Sequence, residues 1–205
     1  MRRLAIPVAV IVLAIALACG EGDEPPRAAP TGAMPDTFRV AFETTRGRFV
    51  VEAYRHWSPL GVKRFHELAA TGAFDDNAFY RVIPNFIAQF GIPGDPKLTV
   101  RLDSVRIPDE PRLVKNERGT IAYAQEGPGS RSHTFYVNRR DADHLDTQGF
   151  TPFGRVIEGM AVIDSIQFPY RERPDYHLIA TLGNKYLRRM YPKTDYIRSA
   201  RLLPR

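Results

Sequence analysis

The chain has 205 residues, of which 43% are hydrophobic and 25% are charged, and its formal net charge at pH 7 is +6. This length suits one domain with a sizeable core, and the composition is that of a globular protein. The positive charge is mild and spread along the chain without a dense Lys/Arg run, which argues against nucleic-acid binding. The single cysteine, Cys19, excludes an intrachain disulfide framework and a thiolate metal cluster.

The first 19 residues have the pattern of an export signal. Residues 1–3 carry positive charge, residues 4–18 are apolar apart from Pro7, and small residues precede Cys19. The apolar run is short for a membrane span, which needs about 20 residues.

Residues 16–19, Ala-Leu-Ala-Cys, resemble the processing box of bacterial lipoproteins. The resemblance implies that Cys19 is lipidated and anchors the chain to a membrane. An ordinary signal peptide with an incidental cysteine and an uncleaved anchor are the alternatives. All three predict an exported domain in the bacterial cell envelope, in the periplasm or otherwise outside the cytoplasmic membrane.

Residues 20–36 predict a flexible tether. They are rich in Pro, Ala and Gly and hold almost no large apolar side chains, so burial cannot offset the entropy of ordering them. Such a tether lets a lipidated domain stand away from the membrane. The chain therefore divides into a signal at 1–19, a tether at 20–36 and one folded domain at 37–205.

The folded domain has the pattern of many short strands and two helices. Alternating apolar and polar residues predict a hairpin over 38–54. A helix begins after Ser58 as N-cap, with Pro59 in its first turn, and ends at Gly72. Further short segments predict strands at 78–83, 86–90, 119–124, 133–138 and 153–156, and a helix at 160–166. These elements predict a mainly β fold, a closed barrel capped by helices.

Residues 79–91 carry the most specific pattern in the chain. They are two strand-like pieces joined by Pro84-Asn85, and they hold Arg81, Phe86 and Gln89. Taken singly, these three residues suit a surface charge, a core side chain and a solvated strand position. Their spacing matches the signature Phe-x-Arg-x-Ile-x-x-Phe-x-x-Gln-x-Gly of the cyclophilin family at every specified position, so the segment resembles that family.

Two later blocks, residues 119–138 and 145–160, are similar to the family in order and separation. The resemblance runs from about residue 38 to 166, with 195–202 as a closing strand. It implies a closed eight-stranded antiparallel β-barrel with two capping helices and an external groove. It also implies a peptidyl-prolyl cis–trans isomerase that needs no metal or cofactor.

The resemblance implies which residues form the site. The catalytic residues are Arg81, Phe86 and Gln89, with Arg81 placed to stabilise the twisted amide. The substrate-binding residues are Ile87, Ala124, Gln125, Thr134, Phe135, Tyr136, His144 and Leu145. The five histidines are scattered without a spacing suited to a metal, which favours structural or surface roles.

Several groove positions depart from the family pattern. Thr134 stands where Gln is usual, His144 stands where many members have Trp, and residues 147–152 hold no histidine. We therefore expect an altered peptide preference and weak cyclosporin binding. A non-catalytic chaperone domain that holds proline-containing segments is the alternative function. The expected partners are proline-containing segments of exported proteins and the membrane through lipidated Cys19, with no nucleic acid, and the chain is expected to be a monomer.

Residues 171–192 are an insertion relative to minimal members of the family. Their apolar residues have approximate helical spacing and predict an extra helix toward the C-terminus: Leu178, Leu182, Tyr186, Leu187 and Met190. Lys185, Arg188 and Arg189 add positive charge at its predicted end. The helix is either packed on the barrel or faces a partner or a membrane.

Overall fold

The computed structural model describes residues 34–167 and 169–204. The predicted signal with Cys19, and residues 20–33 of the predicted tether, lie outside the described residues. In the part of the chain that is described, no helix is both long and apolar enough to pass through a membrane.

The described residues form a mainly β fold. Its strands are β1 (Thr37–Thr44), β2 (Gly47–Tyr54), β3 (Asn77–Ala78), β4 (Arg81–Ile83), β5 (Ile87–Phe90), β6 (Thr120–Tyr123), β7 (Phe135–Asn138), β8 (Pro152–Glu158) and β9 (Tyr196–Leu202). Its helices are α1 (Pro59–Ala70), α2 (Pro96–Asp103), α3 (Met160–Ser165), α4 (Tyr176–Leu182) and α5 (Asn184–Met190), with a short 3-10 helix at Asp143–Thr147.

The strands form one nine-stranded antiparallel sheet in the order β3-β9-β1-β2-β8-β6-β7-β5-β4. Its two edge strands, β3 and β4, are separated only by Phe79 and Tyr80, so the sheet curls until its first and last strands are continuous along the chain. The sequence predicted one strand over 78–83 and eight strands in all. The structure has nine because this segment changes partner, pairing with β9 through β3 and with β5 through β4.

The core inside the curled sheet is rich in phenylalanine. The rings of Phe42 and Phe49, from neighbouring strands, stack with their centroids 4.7 Å apart. Phe65 of α1 packs against Phe153 at 4.9 Å, and α3 adds the fully buried Ile163. Buried aromatic rings supply large contact areas, so this core fixes both helices to the sheet.

The start of α1 is held by a side chain from a distant loop. Ser58 is at the N-cap as predicted, but its side chain makes no capping bond and donates instead to Glu110. The Glu110 carboxylate accepts from the backbone N–H of Leu60 at 2.7 Å and of Gly61 at 3.1 Å. Glu110 also pairs at 3.2 Å with Arg131, whose side chain is fully buried. One buried ion pair thus satisfies the free N–H groups of a helix N-terminus.

The predicted extra helix is present as two short helices. α4 and α5 meet at Gly183, whose φ of +60° and ψ of −152° are open only to glycine. A Cβ at Gly183 would lie 2.0 Å from the carbonyl oxygen of Gly94, so glycine is also required by the close approach. α5 packs at the edge of the sheet, because Leu187 is buried in a cluster with Ala78 of β3 and Arg188 pairs at 2.8 Å with Asp76 just before that strand. This agrees with the packed interpretation of the insertion.

Helix α2 was not predicted from the sequence. Asp95 is its N-cap, accepting a hydrogen bond from the N–H of Lys97 at 2.9 Å, and Pro96 stands in its first turn. An Asp-Pro pair is common at the start of a helix, so Asp95-Pro96 could have been used to predict α2 from the sequence. α2 packs against α4 of the insertion, so the helix that was not predicted is supported by one that was.

Candidate active site

A groove of about 700 Å³ lies on the outer face of β4, β5 and β7. Side chains alternate across these strands, so that Ala88 and Phe90 enter the core while Ile87 and Gln89 line the groove. The predicted site residues that line it are Arg81, Phe86, Ile87, Gln89, Ala124, Gln125, Thr134, Tyr136, His144 and Leu145.

Phe135 is a correction to the predicted site. Its side chain is fully buried in the core, where its ring lies 4.5 Å from that of Tyr123. The next residue, Tyr136, points into the groove because successive side chains of a strand face opposite sides. Phe135 therefore supports the sheet beneath the site and does not line the groove.

The centre of the groove is apolar. Ile87, Tyr136 and Leu145 are buried in one cluster, with Phe86 packed against it. The Tyr136 hydroxyl donates to Asn116 Oδ1 at 3.0 Å, and burial raises the pKa of this phenol well above its ordinary value of 10.0. The ring of His144 lies 5.3 Å from that of Phe86. These side chains form an apolar pocket in which the Tyr136 phenol stays protonated at neutral pH.

Arg81 lies at the edge of this pocket, directly across the β4–β5 hairpin from Gln89. Its Nη1 donates to Gln89 Oε1 at 3.1 Å, and Gln89 Nε2 donates in turn to the Tyr80 hydroxyl at 2.9 Å. Nε and Nη2 of Arg81 both donate to Glu172 Oε2, at 3.2 and 3.1 Å. The guanidinium is held on two of its edges while the side chain stays 24% exposed toward the groove.

The opposite wall carries polar backbone and side chains. The Ala124 N–H donates to the Thr134 carbonyl at 2.9 Å, and the Thr134 hydroxyl donates weakly to the Ala124 carbonyl at 3.4 Å. Gln125 presents a buried Oε1 that finds no hydrogen-bond partner among the described residues. Gln125 lines the groove, but this oxygen is itself turned away from solvent.

The sequence did not predict the contribution of the insertion or of α2 to the groove. The residues that they add to its lining are Thr99, Asp103, Glu172, Tyr176, His177 and Ala180. No local pattern marks these residues as site residues, because they reach the groove only when both segments pack beside β4 and β5.

His133 joins α2 to the wall of the groove. Its Nε2 lies 3.0 Å from Asp103 Oδ1 at the end of α2. Burial lowers the pKa of His133 from its ordinary 6.5, the nearby Arg64 lowers it further, and Asp103 opposes both. The net direction is downward, so the folded protein favours the neutral imidazole.

We expect stability to fall as the pH drops below about 6.5, because the unfolded chain then protonates His133 more readily than the folded protein does. The stabilising contribution of His133 is complete above that pH and is lost as the pH falls to the pKa of His133 in the folded protein. Urea unfolding measures the free energy of unfolding at pH 7.5 and at pH 5.5. The decrease between the two pH values should be smaller for His133→Asn than for the parent. The exposed His56→Asn variant is the control and should lose as much as the parent. Equal losses in all three would contradict the prediction.

Comparisons with known proteins agree with this geometry. Residues 39–179 match the family described as cyclophilin type peptidyl-prolyl cis-trans isomerase/CLD. A peptidyl-prolyl cis-trans isomerase of Arabidopsis thaliana, CYP18-2, is 32% identical over 166 residues, covering 78% of this chain and 98% of that protein. A peptidyl-prolyl cis-trans isomerase of the bacterium Acinetobacter baylyi is 31% identical over 133 residues, covering 62% of this chain and 70% of that protein.

The fold is also found among solved structures. The crystal structure of a cyclophilin type peptidyl-prolyl cis-trans isomerase of Cryptosporidium parvum superposes with a TM-score of 0.62, at 20% identity over 82% of this chain and 99% of that one. A second structure of that protein, in the presence of the dipeptide Ala-Pro, also gives 0.62, at 19% identity. The chain therefore belongs to the cyclophilin-type family of peptidyl-prolyl cis–trans isomerases, and it accelerates rotation about the X–Pro bonds of proline-containing peptides.

Proposed function

We propose that Arg81 is the catalytic donor of this isomerase and that its clients are exported proteins, which it meets as a monomer tethered to the cell envelope. The observation that carries the first part is the position of the Arg81 guanidinium, anchored by Gln89 and Glu172 at the edge of the apolar pocket.

The chemistry follows from the amide bond. Resonance gives the C–N bond partial double-bond character and a rotation barrier of about 18–20 kcal/mol. In the twisted transition state resonance is lost, and the proline nitrogen becomes pyramidal with a localised lone pair. A guanidinium N–H beside that nitrogen stabilises the twisted state more than either planar state. Each ~1.4 kcal/mol of such differential binding raises the rate about tenfold.

The remaining residues hold the peptide on both sides of the rotating bond. The pocket of Phe86, Ile87, Tyr136 and Leu145 excludes water and fixes the proline ring while the acyl side turns. The wall at Ala124, Gln125 and Thr134 offers hydrogen-bonding groups to the residue before proline. No bond is broken, so this scheme uses no nucleophile.

The decisive measurement distinguishes catalysed isomerisation from non-catalytic binding of proline-containing segments. We expect the full-length chain in mild detergent, at one hundredth of the concentration of an Ala-Pro peptide, to speed cis–trans exchange measured by NMR. Uncatalysed exchange takes tens to hundreds of seconds. A protein that only holds proline segments would shift peptide signals in proportion to its concentration and leave the exchange rate unchanged, which would contradict the catalytic role proposed for the groove.

The proposed tether rests on the sequence of residues 1–36 and on the start of β1 at Thr37. Fully extended, residues 20–36 reach at most about 60 Å, enough for the groove to sample unfolded segments near a membrane. We expect bacteria expressing the chain to incorporate labelled palmitate into it, and the Cys19→Ser variant to carry no label. A parent chain without label, or a Cys19→Ser chain that retains it, would contradict lipidation at this residue.

A further inference from the structure

We propose that Glu172, from the insertion at 171–192, is a positioning residue that holds the guanidinium of Arg81 for catalysis. The inference rests on the proposed role of Arg81 and extends it to a segment for which the sequence offered no catalytic role.

The hydrogen bonds divide the donors of Arg81 into held and free groups. A guanidinium has five N–H donors in a rigid plane. Glu172 Oε2 accepts from Nε and from Nη2, and Gln89 Oε1 accepts from Nη1. Among the described residues, the other two N–H groups, one on each Nη, have no protein acceptor. One carboxylate oxygen and one amide oxygen therefore fix the plane of the guanidinium. One N–H donor on each terminal nitrogen remains for the substrate.

The backbone of the insertion places Glu172 at this position. The Val82 N–H on β4 donates to the carbonyl of Arg171 at 3.1 Å, so the residue before Glu172 is bonded to the residue after Arg81. Arg171 has a φ of +52°, a conformation that a non-glycine residue adopts at a cost. The chain is thus held in an unfavourable turn next to Arg81, which directs the following side chain toward the guanidinium.

A second contact from the same insertion supports the other side of Arg81. The ring of Tyr176 packs edge-on against Tyr80 with centroids 5.3 Å apart, and the Tyr80 hydroxyl accepts from Gln89. Glu172 and Tyr176 therefore close a chain of contacts in the order Glu172, Arg81, Gln89, Tyr80, Tyr176. The insertion braces the guanidinium directly through one residue and indirectly through the other.

The exposure of Glu172 separates this role from a role in stability. Its side chain is 63% exposed, and exposed ion pairs contribute little to folding. Donors that are already oriented need no reorganisation in the transition state, whereas a freely rotating arginine must be ordered first. Loss of Glu172 should therefore slow the reaction while leaving the fold intact.

The test compares three variants of the full-length chain in mild detergent. We expect Glu172→Ala to lower kcat for an Ala-Pro peptide about three- to tenfold, with KM and the melting temperature close to those of the parent. Glu172→Gln keeps an acceptor oxygen and should recover most of kcat. Glu43→Ala removes a matched exposed partner of an arginine, Arg48 at 3.5 Å, far from the groove, and should have no effect.

The outcomes separate this inference from the proposed function. A parent chain without isomerase activity would overturn the function itself. An active parent would overturn only the positioning role if Glu172→Ala were unchanged or faster, if its loss appeared in KM alone, or if Glu172→Gln were as slow as Glu172→Ala. Faster turnover in both Glu172 variants would show that the carboxylate restrains Arg81 instead of orienting it.

Discussion

Replacing Arg81 with alanine is expected to lower kcat/KM for an X–Pro peptide about 10²–10³-fold, the loss typical of removing a preorganised donor from a transition state. The apolar pocket remains intact in this variant, because Phe86, Ile87, Tyr136 and Leu145 form their own cluster. The peptide should therefore still bind, and the loss should appear mainly in kcat. NMR exchange at several peptide concentrations measures both constants.

Two controls make this result specific. Arg81→Lys keeps the charge but not the planar fork that binds Gln89 and Glu172, so it should recover only a minor part of the activity. Arg48→Ala removes an exposed arginine on β2, which does not line the groove, and should leave kcat/KM unchanged. If Arg81→Ala retained more than about a third of the parental kcat, the proposed role of the guanidinium would be refuted.

Replacing Glu110 with alanine is expected to lower the free energy of unfolding by about 3–5 kcal/mol. Arg131 is only 1% exposed, so the variant would remove the closer, buried carboxylate partner of a buried charge and leave it only the more exposed Asp109 at 3.6 Å. The backbone N–H groups of Leu60 and Gly61 would also lose their acceptor at the start of α1. The loss is a large fraction of the 5–15 kcal/mol typical of a domain, and urea unfolding would measure it.

The matched control is an exposed ion pair on the same fold. Glu43 and Arg48 are each about half exposed, so Glu43→Ala should change the free energy of unfolding by less than about 1 kcal/mol. If Glu110→Ala were no more destabilising than Glu43→Ala, the proposed role of Glu110 would be refuted. The loop that carries Glu110 would then be held to α1 and Arg131 by other contacts.

Features formed by residues close in sequence could be predicted from the sequence. β1 and β2 alternate apolar and polar residues around a short turn, so the hairpin followed from periodicity. Arg81 and Gln89 face each other because they lie in one hairpin, eight residues apart. The spacing within residues 79–91 was therefore sufficient to bring Arg81, Phe86 and Gln89 of the signature into one groove.

The face of a strand buried on both sides could not be predicted in the same way. All four residues of β7 are buried, so the sequence Phe-Tyr-Val-Asn has no alternation to show which side chain faces the groove. Phe135 was assigned to the site on the family resemblance and no alternation spoke against it, whereas in the fold its side chain is turned into the core. Similarly, the change of partner between β3 and β4 depends on β9, which is more than a hundred residues away.

The sequence by itself determined the family, the mainly β fold, and most of the groove on β4, β5 and β7. Only the tertiary structure decided what surrounds Arg81. Glu172 is 91 residues from Arg81 along the chain and reaches it because Arg171 bonds to β4 and Tyr176 packs on Tyr80. The contact depends on how the insertion folds back on the sheet, which no local spacing or hydrophobic period encodes.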